Sequence, residues 1–185
     1  MIEIALPGLE AATESLKAFP GGAQFAISRT VKDVAGSGKA AATQFIFTRY
    51  QFDSQGPIQR GITITTRGEF SVIRFQGSRF KIAQFLPSRT DTGIDFMEIR
   101  GQRSTISQAF GSIMKYGFGI FKRKTAARGP VQSQTGLSIA NMARESTEIM
   151  PEMTAHVRAQ LEKRLKFWVA EVRTGNRAKY ERKSR

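Results

Sequence analysis

Gly117-Phe118-Gly119-Ile120-Phe121-Lys122-Arg123-Lys124 reads as an apolar strand that runs straight into three adjacent cations. A loop bearing Gly and Pro follows, from Ala126 to Gly136, and beyond Leu137 the apolar period becomes helical. Strand chemistry in the middle of the chain and helix chemistry at its end predict an α+β fold. Three like charges in a row repel one another, so they suit a surface that meets a polyanion or an acidic partner. A buried strand would hold such cations in a fixed place.

Working back from that stretch, residues 58–65, 70–75 and 80–85 alternate and are rich in β-branched and aromatic residues. Arg67-Gly68-Glu69 and Gln76-Gly77-Ser78 supply turns, so these three segments predict an antiparallel meander. Residues 94–100 and 105–113 are weaker strand patterns. Nearer the start, Ile2, Ile4 and Leu6 predict a short strand, and Pro7 opens a helix over roughly 8–18. A second helical run spans about 23–50. Gly36-Ser37-Gly38 in its middle predicts a kink or break, since each interior Gly costs ~1 kcal/mol against Ala.

Toward the C-terminus, Pro151 and Glu152 read as the start of a long helix. Met153, Val157, Leu161, Leu165, Trp168 and Val172 form one apolar stripe along it. The expected architecture is an antiparallel central sheet packed by N-terminal helices and by this amphipathic helix. Residues 1–172 read as one domain. Residues 173–185, with six cations and one acid, read as a flexible basic tail.

The chain has 185 residues, an apolar share of 40% and a formal net charge of +14. Residues 1–50 carry five Lys/Arg against four Asp/Glu, whereas residues 121–185 carry fifteen against six. Such a basic balance points to nucleic acid, an anionic membrane or an acidic protein surface. No stretch reaches the ~18–20 apolar residues of a membrane span, and the first residues lack a secretory pattern. The absence of cysteine excludes disulfides and thiolate-ligated zinc.

Catalytic signatures are weak. Gly36-Ser37-Gly38-Lys39 has Asp33 and Ala40 where a phosphate loop needs Gly and Ser/Thr. Asp91, Asp95 and Glu98 form an acidic cluster of the kind a Mg²⁺-dependent nuclease uses, although solvated carboxylates explain it as well. His156, the sole histidine, is expected at the surface or edge of a helix. Phe70, Phe75, Phe80 and Phe85 fit a core better than a base-stacking platform. No cofactor, metal or catalytic residue is expected. Lys122, Arg123, Lys124 and Arg128 are the candidates for contact with DNA or a partner. Leu161, Leu165 and Trp168 are candidates for a subunit interface, with packing on the chain's own sheet the favoured alternative.

Gly119-Ile120-Phe121-Lys122-Arg123-Lys124, then Pro130-Val131, then Gly136-Leu137-Ser138-Ile139-Ala140-Asn141-Met142, with a basic amphipathic helix ending the chain, resembles the minor tail protein Z (tail-completion) family of long-tailed bacteriophages. Ile2-Glu3-Ile4 followed by Gly8-Leu9-Glu10 also looks like that family's start, whereas the middle helix, with its Gly-Ser-Gly interruption, departs from it. The resemblance implies a virion structural protein at the head-proximal end of the tail, assembled in the host cytoplasm. It implies other tail and neck proteins as partners, a homo-oligomeric ring, non-specific contact with the DNA end and no catalysis. A nucleic-acid-binding protein outside virions and a metal-dependent nuclease are the alternatives.

Overall fold

The computed structural model describes residues 9–19, 21–114, 117–125, 129–146 and 148–175, with side chains from residue 12 onward. It is an α+β protein, and the described residues form α-helices and three small antiparallel sheets. The chain divides into two units, one within Met1–Ala42, Thr63–Arg74 and Thr147–Arg185, the other within Thr43–Ile62 and Phe75–Ser146.

The first unit holds α1 (Leu9–Ser15), α2 (Gly22–Arg49) as far as Ala42, most of the hairpin of β1 (Ile62–Arg67) and β2 (Phe70–Phe75), and α5 (Ile149–Arg173). All six predicted stripe residues of α5 are buried, joined by Ile149 at its start. Leu16, Ala26, Trp168 and Val172 form one cluster, with Phe25 edge-on to Trp168 at 5.9 Å between ring centres. Burial of a side chain the size of Leu16 or Val172 stabilises by roughly 1.5–3 kcal/mol, an upper bound because the unfolded chain is itself partly collapsed.

Instead of breaking at Gly36-Ser37-Gly38, α2 runs through it. A Cβ on Gly38 would lie 2.9 Å from Ile73 Cδ1 and 3.0 Å from Val157 Cγ2. The glycine lets α5 and β2 approach the helix closely, and that packing outweighs its helix penalty.

The second unit holds the end of α2, α3 (Gly56–Gly61) and two three-stranded sheets. One is β3 (Ser88–Arg89), β4 (Gly93–Phe96) and β5 (Ser104–Ser107). The other is β6 (Ala109–Met114), β7 (Gly117–Arg123) and β8 (Val131–Ser133), and α4 (Ile139–Glu145) follows.

The expected meander is corrected at both ends. Pro57, in the first turn, presets a helical start, so 56–61 is α3 with Ile58 fully buried, and the strand begins only at Ile62. Residues 80–85 form a single bridge at Lys81 and a 3₁₀ turn over Ile82–Gln84. That turn puts Ile82 and Phe85 on one buried side, which an alternating strand cannot do. Phe80 and Phe85 meet Phe52 edge-on at 5.0 and 5.5 Å; Phe85 is core and Phe80 is half-buried, whereas Phe70 is 60% exposed. The predicted strand 105–113 is two strands, divided where Gln108 turns with φ 60°. The predicted strand over residues 2–6 lies outside the described residues, as does the tail from residue 176.

Candidate functional site

β7 is paired on both sides. Ala109 opposes Lys122 and Phe110 opposes Phe121 on β6, while Lys122 opposes Gln132 and Arg123 opposes Val131 on β8. The Ile120 carbonyl accepts from the Gln134 N–H at 2.8 Å, and the Lys124 N–H donates to the Pro130 carbonyl at 3.1 Å. The backbone of residues 120, 122 and 124 therefore faces β8, and that of 119, 121 and 123 faces β6.

Alternation sends the side chains of Lys122 and Arg123 to opposite faces. Lys122 is half-buried beyond the fully buried Ile120, whereas Arg123 and Lys124 are exposed. Arg123 leans over the Phe110 ring, 5.8 Å from its centre. Among the described residues no carboxylate pairs with any of the three cations. Arg128 lies outside the described residues.

The interface candidates on α5 are buried. Leu161, Leu165 and Trp168 are 5%, 4% and 5% exposed, and the Trp168 indole N–H donates to Asp33 Oδ2 at 2.9 Å. In this fold they have no surface to offer a neighbour, and packing within the chain is what their spacing encodes. His156 is half-buried and shares a 2.8 Å hydrogen bond with Ser37. Neither this bond nor that of Asp33 could be read from sequence, since the partners are more than a hundred residues apart.

The three carboxylates of the nuclease alternative are not gathered. Among the described residues no group of three or more acidic or His side chains is placed to hold a metal. Asp91 is exposed, and Asp95 accepts a 2.7 Å hydrogen bond from the Thr105 hydroxyl. Glu98 accepts from the Leu137 N–H. Burial pushes the Glu98 carboxyl above the ordinary range and Glu145 adds to that, while the Leu137 bond opposes them.

That contact explains Gly136-Leu137-Ser138. The Glu98 carboxylate and the Phe85 ring occupy the space a Cβ on residue 136 would need. Gly136 and Leu137 also exchange backbone hydrogen bonds with Phe80. Ser138 then caps α4, its hydroxyl accepting from the Asn141 N–H at 3.3 Å. Ile139 and Met142 are buried, and the Tyr50 hydroxyl donates to the Met142 carbonyl at 3.3 Å. The motif is a structural clamp that fixes the path from β8 into α4.

No family model, curated protein or solved structure matches the chain. No helix among the described residues is long and apolar enough to cross a membrane.

Proposed function

We propose that this chain is a virion structural protein, a tail-completion or neck component at the head-proximal end of a long phage tail. It assembles in the host cytoplasm with other tail and neck proteins, helps join tail to head, and performs no catalysis. The observation that carries this reading is the cation cluster. Lys122 and Arg123 sit on a strand paired along both edges, Lys124 follows directly, and none is neutralised by a described carboxylate. A fold that displays unneutralised charge at a fixed position suits electrostatic contact with a polyanion or an acidic subunit. The resemblance carried by residues 119–124 and 136–142 supplies the particle.

In a homo-oligomeric ring, symmetry would repeat this cluster around a channel, and phosphates of the DNA end would be held without regard to sequence. The test is triple charge reversal at Lys122, Arg123 and Lys124. The variant is expected to remain folded and to give tails that fail to join heads or to retain the DNA end. Fully infectious particles from it would overturn the proposal. Strong, salt-dependent duplex binding by the isolated monomer, with normal particle assembly, would instead favour a nucleic-acid-binding role outside virions.

A further inference from the structure

β6 forms the outer edge of its sheet, since the strand order is β6-β7-β8. Its sequence, Ala-Phe-Gly-Ser-Ile-Met, has neither a charge nor a proline. Exposed edges ordinarily carry such residues to prevent pairing with another chain. The direction of its backbone groups follows from β7. Because Ile120 turns its carbonyl to β8, the opposed pair Gly111 and Ile120 exchanges no hydrogen bonds, and neither does the pair Ile113 and Phe118. The N–H and C=O groups of Gly111 and Ile113 thus point outward, and among the described residues nothing bonds to them. Beside them Ile113 is 81% exposed, Phe118 51% and Met114 39%.

The geometry points to β6 as a docking edge for an extended segment of an acidic partner protein, added to the sheet as a further strand. Charge selects the occupant. The second unit carries thirteen Lys/Arg against five Asp/Glu, so a second copy would bring the same sign to the edge. Arg123 reaches from β7 onto the Phe110 ring of β6. Its guanidinium therefore lies about one strand spacing, ~4.8 Å, from the line a guest strand would follow. A guest carboxylate beside Phe110 meets that charge. Three residues along, on the other face, a guest apolar side chain covers Ile113 and Phe118. The guest has an acid toward one end, an aliphatic or aromatic residue toward the other, and main-chain bonds to Gly111 and Ile113 between them, in the manner of β-augmentation. This inference does not depend on the virion role, and its test leaves all three cations in place except where Arg123 is itself the probe.

The experiment titrates the full chain with two fluorescent eight-residue peptides of alternating apolar pattern, one bearing two glutamates and the other two lysines at the matching end. The acidic peptide is expected to bind at least tenfold more tightly than the basic one. Ile113→Pro removes one outward N–H without touching the β6–β7 ladder and should weaken binding at least tenfold. Circular dichroism and Tm check that this variant is folded, and the exposed Ile113→Lys serves as a second edge-blocking variant. Arg123→Glu should abolish or reverse the preference between peptides. Equal affinity for both peptides, no binding at millimolar concentration, or binding indifferent to both Ile113 variants would overturn the proposal. So would a concentration-dependent dimer that Ile113→Pro dissolves, because the edge would then belong to a second copy.

Discussion

Ser37 and His156 share a hydrogen bond of 2.8 Å, and beside them Gly38 admits Val157 and Ile73 against α2. The two glycines flanking Ser37 should therefore respond oppositely to substitution. Gly36 is exposed with nothing within 4 Å of an added Cβ, so Gly36→Ala should stabilise by up to ~1 kcal/mol through helix propensity. Gly38→Val forces its methyl groups into Val157 and Ile73 and should cost about 1–3 kcal/mol. Urea unfolding of the two variants measures both. Destabilisation by Gly36→Ala, or tolerance of Gly38→Val, would contradict the close crossing.

Burial of the α5 stripe gives a second expectation. Leu165→Ala should lower stability by about 2–5 kcal/mol. Asp33→Leu leaves the Trp168 N–H without its acceptor and should cost roughly 1–3 kcal/mol. If these residues instead served a subunit interface, Leu165→Ala would leave monomer stability nearly unchanged and alter the particle size seen by sedimentation.

Glu98 makes part of the stability pH-dependent. Its folded pKa is raised above the ordinary carboxylate value of 4.5, so between the two values the folded chain binds more protons than the unfolded one. The contribution is fully present below the unfolded pKa and is lost as pH rises through the raised one. Glu98→Gln keeps an oxygen for the Leu137 N–H and should flatten the fall in Tm across that window. Glu145→Gln removes a raising influence and should narrow the window. A Tm profile identical in wild type and Glu98→Gln would refute this assignment.

The cations themselves should matter little to folding. Lys124→Glu, exposed and without a described ion pair, should shift stability by no more than about 0.5 kcal/mol. Arg123→Ala loses its stacking on Phe110 and should cost roughly 0.5–1 kcal/mol. Thermal unfolding that drops well beyond these values would mean that the cluster holds the sheet together.

Periodic elements were legible in the sequence because one face of each is buried. The α5 stripe, both long helices and the strand ending at Arg123 follow directly from apolar spacing. Segments whose structure depends on distant partners were not. Residues 80–85 alternate like a strand, yet Phe52 draws Phe80 and Phe85 into an aromatic cluster that a 3₁₀ turn serves better. Gly38 looked like a helix breaker because its reason, Val157, lies far along the chain. At the site, the cation run was visible as composition, but its isolation from carboxylates required the fold. Exposure of Ile113 gave no signal in sequence, since an edge strand and a core strand can share one pattern.

Pairing of β7 along both edges has a kinetic corollary. Main-chain amides at residues 122 and 123 lie inside ladders, so they should be among the slower to exchange with solvent, even though the side chains they carry are among the most polar in the chain. Whatever docks there meets charges whose backbone is already immobilised. Only the outer methylenes of Arg123 and Lys124 have freedom left to lose, so the entropic penalty of association falls on two side chains instead of a segment.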